Sequence, residues 1–271
     1  MRKQVTTTME VLQNIMSTKI SKVSGSRFRT TFPRALARAI SLADRDEQAM
    51  KFGIRCTNTG PTLEVSVGPD VQERGANVMS PIIHSSGQVE IELPRFQSEA
   101  WNLENTRIDW PDEDGFEVAD DGSVTILAPL LDWEPKHEVD MFAASGGFAH
   151  GSSVTKSGDE RSNIESHFPI SLAEAVGLDE SQTRAEITFD CVDGRKVMVA
   201  TPTEKSRSEL RNSVSVNLAG ARKRQARFNA GRIAIEFGFR DTLEEQSVPL
   251  RWFQQDDQLI AFTRTNGSDS A

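Results

Sequence analysis

Four segments of the chain share one order of local signals, and this internal repeat constrains the fold more than any other feature. Each segment starts with a β-prone run that ends at a corner, usually an apolar residue followed by proline. About two turns of helix follow, and then two β-prone runs joined by a turn. The corners are Phe32-Pro33, Leu93-Pro94, Phe168-Pro169 and, without the proline, Phe228-Asn229. We call the segments copies one to four.

Alternation with period two marks the strands, and apolar spacing marks the short helices. Residues 88–93, for example, alternate as a half-buried strand should, and Leu36 and Ile40 share one face of the first helix. The predicted elements are strand 23–31, helix 34–42 and strands 50–56 and 62–67 in copy one; strand 88–93, helix 95–103 and strands 106–110 and 123–127 in copy two; helix 170–178 and strands 185–191 and 196–200 in copy three; and helix 230–237 and strands 248–253 and 258–263 in copy four.

Turn residues separate the two final strands of the copies. Gly60, Gly122 and Gly194 lie in these turns, where glycine, asparagine and aspartate tolerate the positive φ that tight hairpins need. In copies two and three the glycine directly follows an aspartate. These clusters therefore predict a β-hairpin at the end of each of the first three copies.

The spacing of the copies indicates duplication of a two-copy ancestor. Phe32 and Phe168 are 136 residues apart, and Leu93 and Phe228 are 135 residues apart. Rarer residues repeat in the same way, namely Cys56 with Cys191 and Trp110 with Trp252. The two tryptophans lie on repeat strands and are predicted to be core residues.

The repeat divides the chain into two pairs of copies. Residues 18–130 form the first pair, with copies at about 18–70 and 77–130, and residues 152–265 form the second, with copies at about 152–203 and 212–265. Residues 1–17 are predicted as an N-terminal arm, the glycine-rich and charged residues 131–151 as a linker, and residues 266–271 as a tail.

A copy of this size with one short helix buries too little apolar surface to be stable alone, and its hairpin leaves strand edges unpaired. Two copies that exchange hairpins close each other's sheets into a small barrel. We therefore predict a mainly β fold with short helices, made of two such barrels, each an intramolecular pair.

The segment from Lys22 to Leu42, with its Phe32-Pro33 corner, resembles the AbrB/SpoVT swapped-hairpin family, and so does the segment from Asn163 to Leu178. Members of that family are typically homodimers of such units that act as transcription regulators or antitoxins. The resemblance covers most of the chain outside the termini and the linker. It implies a DNA-binding protein of the transcription-regulator type, built from four tandem AbrB-like units.

In that family, basic residues of the first strand, of the loop before it and of the helix contact DNA. The resemblance therefore implies contacts to double-stranded DNA from Lys22, Arg27, Arg29, Arg34 and Arg38 in copy one, and from Arg222, Lys223, Arg224 and Arg227 in copy four, where the helix adds Arg232. Such side chains neutralise phosphates, and the guanidinium fork also matches the edge of guanine.

Copies two and three depart from this pattern, because Glu90, Glu92 and Glu165 lie in the corresponding region. The whole chain has 40 acidic and 31 basic residues, a formal net charge of −9, which does not favour general coating of nucleic acid. The alternative is a non-enzymatic protein-interaction or assembly module that kept the fold and lost DNA binding, with a protein partner or self-association.

Signals for other classes of protein are weak. The four histidines lack zinc spacing, and no P-loop or nucleophile elbow is present, so we predict no enzyme, no cofactor and no metal. No apolar window approaches the length of a membrane span, and no secretory signal is visible. Cys56 and Cys191 form no C-x-x-C motif and are interpreted as half-buried thiols in a reducing compartment, which predicts a cytoplasmic protein.

Overall fold

The computed structural model describes the strands and helices of all four copies together with most of their connections. The described residues are 17–23, 27–42, 50–68, 77–79, 81–112, 114–141, 150–156, 164–218, 225–238, 243 and 247–263. The predicted N-terminal arm up to residue 16 and the predicted tail lie outside them.

The fold is mainly β with short helices, which confirms the predicted fold class. The strands are β1 Ser17–Lys19, β2 Ser21–Val23, β3 Arg27–Phe32, β4 Met50–Thr57, β5 Gly60–Val67, β6 Val78–Met79, β7 Pro81–Ile83, β8 Val89–Leu93, β9 Arg107–Asp109, β10 Phe116–Val118, β11 Val124–Leu131, β12 His150–Lys156, β13 Ile164–Pro169, β14 Arg184–Val192, β15 Arg195–Pro202, β16 Ser213–Asn217, β17 Gln225–Asn229, β18 Val248–Gln255 and β19 Gln258–Thr263. The helices are α1 Arg34–Ala39, α2 Arg95–Ala100, α3 Ile170–Ala175 and α4 Gly231–Glu236.

The chain divides into two compact units. The first comprises residues 1–98 and 102–134, and the second comprises residues 99–101 and 135–271. Residues 135–141, which the sequence places in a linker, thus belong to the second unit, where Val139 and Met141 pack against a core cluster that includes Val197 and Phe253.

The second unit is a closed barrel with the strand order β12-β13-β17-β16-β14-β15-β19-β18. Its two copies exchange strands reciprocally. Strand β12 of copy three pairs with β18 of copy four, while β16 of copy four pairs with β14 of copy three. This exchange corresponds to the arrangement of hairpins that the sequence predicts, because neither copy can satisfy its strand edges alone.

The first unit follows the same strand order, but the leading strand of each copy is divided. In copy one, β1 pairs with β9 and β2 pairs with β3, with Ile20 between the two short strands. In copy two, β6 pairs with β4 and β7 pairs with β8. Among its described residues, the first unit therefore forms two sheets in place of one closed barrel, with the strand orders β1-β9-β11-β5-β4-β6 and β2-β3-β8-β7.

The helices end in one recurring way. A residue with positive φ follows the helix, namely Ser41 at 52°, Asn102 at 51°, Gly177 at 85° and Gly238 at 74°. In the first three copies the next residue is a buried leucine, and in copies two and three its amide bonds back five residues, as Leu178 N–H does to Ala173 O at 2.9 Å. This is the Schellman termination, in which the left-handed residue turns the chain and the leucine covers the helix end.

Aromatic contacts between the two copies of a pair lie at the centre of each core. The rings of Phe32 in copy one and Trp110 in copy two make an edge-to-face contact with their centroids 4.9 Å apart. In the second unit Phe168 stacks on Trp252 at 4.8 Å. Both tryptophans are buried, which confirms their prediction as core residues.

Two details differ from the sequence interpretation. The second half of copy two is interrupted, because residues 110–115 separate β9 from β10, and both short strands pair with β11. The interpretation of Cys56 and Cys191 as thiols is wrong, since both lie among the described residues and both are disulfide-bonded. The argument from free thiols to a cytoplasmic location therefore does not hold.

Candidate nucleic-acid interface

Strands β3 and β8 are the two inner strands of the sheet β2-β3-β8-β7 and lie where the sequence predicts DNA contacts; we call this strand pair the ribbon. The ribbon has one buried and one exposed face, because side chains alternate along each strand. Phe28, Phe32 and Ile91 belong to the buried face. Arg27, Arg29, Glu90 and Glu92 occupy the other face, so that two predicted DNA contacts share it with two carboxylates.

Glutamates of copy two contact the arginines of copy one on this face. Arg29 lies directly opposite Glu92 and donates to it from Nη2 at 3.2 Å and from Nε at 3.4 Å. Its Nη1 donates to Glu90 at 3.4 Å. Arg27 lies 3.6 Å from the same Glu92, although its side chain remains 56% exposed. The ribbon face therefore balances its own charge.

The remaining basic residues of copy one differ in their contacts. Lys22 on β2 lies 3.9 Å from Glu104 and above the ring of Phe28. Arg34 and Arg38 are four positions apart on α1, and both are exposed. Arg34 donates to the carbonyl of Ser86 at 2.7 Å. In the ion pairs of the described residues, neither arginine of helix α1 has a carboxylate partner.

In copy four the described residues include Arg227 and the helix residue Arg232 among the predicted contacts. Arg227 lies on β17 directly opposite His167 of β13, and its Nη1 is 3.8 Å from Glu165. The predicted contacts Arg222, Lys223 and Arg224 lie outside the described residues.

The strand pair β13–β17 of the second unit, like β3–β8 of the first, brings an arginine of one copy close to a glutamate of the other, but the first copy of the pair supplies the arginine in the first unit and the glutamate in the second. Counted from the corner residue, the third position back is Arg29 in copy one and Glu165 in copy three. One position before the corner is Glu92 in copy two and Arg227 in copy four. Each unit thus pairs one acidic with one basic copy at these positions.

The structure also brings together cations that the sequence interpretation did not combine. Arg232 at the start of α4 donates to the carbonyl of Arg211 at 3.4 Å, and the charges of Arg207 and Arg211 act on it. Burial, and then these two charges, lower the pKa of Arg232. The four-residue spacing of Arg207 and Arg211 is visible in the sequence, but both residues lie outside the elements predicted to contact DNA.

Among the described residues, no three histidine, cysteine, aspartate or glutamate side chains form a group suited to hold a metal ion. No helix in the described part of the chain is long and apolar enough to cross a membrane. What the exposed basic groups can do is attract and hold anions.

No protein-family model matches the chain, and no curated protein or solved structure matches it significantly. The similarity to the AbrB/SpoVT family therefore rests on the residues quoted above and stays a prediction.

Proposed function

We propose that the protein is a DNA-binding protein, of the transcription-regulator type to which its copies are similar, and that helix α1 supplies its principal phosphate contacts. The observation that carries this proposal is the pair Arg34 and Arg38, exposed one helical turn apart on α1. Arg27, whose side chain is 56% exposed on the ribbon, is the third contact we assign.

Arg29 is expected to contribute less than its place in the family pattern implies. Its guanidinium is already engaged by Glu90 and Glu92, and its side chain is 30% exposed. A phosphate would have to displace two carboxylates and would still be repelled by them. We therefore expect helix α1 to contribute more to DNA binding than Arg29 at the centre of the ribbon.

The test is fluorescence anisotropy of a labelled mixed-sequence duplex over a series of salt concentrations, with the full chain. Each phosphate contact contributes about 0.9 to the slope of log affinity against log salt. We expect R34Q/R38Q to weaken binding and to lower this slope by about 1 to 2.

R55Q/R107Q is the matched control, because it removes two charges from exposed arginines of the same unit that are paired with Glu64 and Asp132. It should change the slope little. Equal effects of the two double variants would mean that only net charge matters, and would contradict an interface on α1. Absence of binding by the wild-type chain at low salt would reject DNA binding altogether.

The second candidate function is an assembly module that binds protein. Two observations favour it: the charge of the ribbon face is balanced, and β7 exposes Ile82 and Ile83, which are 37% and 44% exposed. Strand β7 is the last strand of its sheet among the described residues, and an edge strand with exposed apolar side chains is suited to pair with another chain. Failure of DNA binding together with self-association that I82K/I83K abolishes would favour this function.

A further inference from the structure

We infer that His84 and His167 are further nucleic-acid contacts, one in each unit, and that their protonation makes the binding of DNA depend on pH. This role rests on the proposed function, because it concerns regulation of the same interface. Its structural basis occurs in both units: one carboxylate oxygen lies between the Nε2 atom of a histidine and the Nη1 atom of an arginine.

In the first unit the shared oxygen is Oε2 of Glu90. Arg29 donates to it from Nη1 at 3.4 Å, and Nε2 of His84 lies 3.5 Å from it. His84 directly follows β7, and its amide donates to the carbonyl of Gln88 at 2.9 Å, which holds the histidine beside the start of β8. The side chain of His84 is 43% exposed, so it is accessible to a phosphate group.

In the second unit the shared oxygen is Oε2 of Glu165 on β13. His167 Nε2 and Arg227 Nη1 both lie 3.8 Å from it. His167 is two residues from Glu165 on the same strand, so the two side chains share a face, and Arg227 lies directly opposite on β17. The side chains of His167 and Arg227 are partly exposed. The strand pair β13–β17 therefore presents the same three kinds of group as the ribbon.

The charges around the two histidines balance while the histidines are neutral. The described charged groups that lie near His84 on the strands beside it are Glu90, Glu92, Arg27 and Arg29. Arg34 of α1 contacts the same turn at the carbonyl of Ser86. Near His167 the described ion pairs contain one carboxylate, of Glu165, and one arginine, Arg227.

Protonation of a histidine changes this balance in two ways. Histidine side chains gain a proton in the physiological pH range, and both ring nitrogens are then donors. Each face then has one cation more than it has carboxylates, so it attracts phosphate. The charged ring also competes for the oxygen that Arg29 or Arg227 contacts, which makes more of the guanidinium available to a phosphate. A lower pH should therefore strengthen DNA binding.

The test is fluorescence anisotropy of the labelled duplex over a salt series at pH 8 and at pH 5.5, with the full chain. On going to the lower pH, we expect the wild-type affinity to rise by about tenfold or more, and the salt slope to rise by about 1 to 2. H84Q/H167Q should lose both changes, because glutamine is polar but gains no charge. It should bind DNA at pH 8 much as the wild type does.

H137Q/H150Q is the matched control, since it removes the other two histidines of the chain. His137 contacts Gln258 at 2.7 Å, and burial, followed by the charge of Lys136, lowers its pKa, which opposes its protonation. The buried Asp190 has a pKa raised to about 6 and titrates in the same range, but it is unchanged in every variant. The control should therefore keep the pH dependence of the wild type.

E90Q/E165Q tests the same mechanism without a change of pH. It removes the two carboxylates that offset the arginines, so each face has an excess of one positive charge at pH 8. We expect this variant to bind DNA at pH 8 about tenfold more tightly than the wild type. An unchanged affinity at pH 8 would contradict a role of the shared oxygen.

The outcomes separate this role from the proposed function. A wild type that binds DNA without any pH dependence, or whose pH dependence H84Q/H167Q retains, would overturn the role of the two histidines and leave the interface on α1 intact. Equal loss of the pH dependence in H84Q/H167Q and in the control would also overturn the assignment to His84 and His167. Absence of binding by the wild type at both pH values would reject DNA binding, and this role with it.

Discussion

Arg29 on β3 lies directly opposite Glu92 on β8, and the two side chains form an ion pair between copy one and copy two. In the second unit Arg227 of copy four lies 3.8 Å from Glu165 of copy three. Opposite charges across a pair of strands stabilise pairing, and like charges oppose it. Each of these two ion pairs therefore favours the pairing of the two different copies within its unit.

The first prediction concerns this charge pairing. R29E should lower the free energy of unfolding by about 1 to 2 kcal/mol, because an attraction is replaced by repulsion from two glutamates on a partly exposed face. The swap R29E/E92R should recover a large part of that loss. Urea unfolding followed by circular dichroism measures both effects. A swapped protein no more stable than R29E would contradict a role of these charges in pairing.

The repeat made much of the fold predictable from the sequence. Strands β14 and β15 lie within two residues of their predicted ends, because the turn at Asp193 and Gly194 has the positive φ at both positions that a tight hairpin requires. The predicted helices extend beyond the observed ones, since their last residues form the left-handed termination. Ser41 and Asn102 occupy that position without being glycine, so no glycine signal marked the end.

The candidate site was less predictable. The alternation that placed Arg27 and Arg29 on an exposed face was visible, but their contact with Glu90 and Glu92 depends on the register of β3 against β8. That register differs between the units: Phe32 lies opposite the fourth residue before the corner of copy two, whereas Phe168 lies opposite the second residue before the corner of copy four. A shift of two residues keeps every side chain on its face, so the hydrophobic pattern does not distinguish the two registers.

The second prediction concerns the helix terminations. Gly177 has a φ of +85°, and an added Cβ would meet nothing within 4 Å, so the cost of G177A is conformational rather than steric. We expect a loss of about 1 kcal/mol. S41G should act in the opposite direction, with a smaller gain because glycine also increases the freedom of the unfolded chain. Thermal unfolding of the two variants tests this, and a gain in stability from G177A would contradict it.

The third prediction concerns a buried ion pair of the second unit. Glu236, whose side chain is 2% exposed, lies 3.8 Å from the ammonium of Lys196 and accepts a hydrogen bond from Trp101 Nε1 at 2.8 Å. K196M should cost about 3 kcal/mol of unfolding free energy, because it removes the cation from a buried carboxylate.

E236Q is the matched variant for this pair, since it removes the buried charge but keeps an oxygen that can accept from Trp101. We therefore expect it to cost less than K196M, and K196M/E236Q to be more stable than K196M alone. Chemical unfolding of the three variants measures the order. A larger loss of stability for E236Q than for K196M would contradict the explanation that K196M is costly because it leaves the carboxylate of Glu236 buried without its cation.

The fourth prediction concerns Asp190 on β14, which is buried with 5% relative exposure. Burial raises its pKa to about 6, against which the hydrogen bond from the Cys191 amide acts in part. Because the folded state holds the proton more tightly than the unfolded state, stability falls as the pH rises from about 4 to about 6 and stays lower above that.

D190N keeps an oxygen for the Cys191 amide and has no charge to bury. It should therefore be more stable than the wild type by about 1 to 3 kcal/mol at pH 7.5, and this difference should vanish near pH 4. Urea unfolding of both proteins across this pH range decides the matter, and a difference independent of pH would contradict the assignment to Asp190.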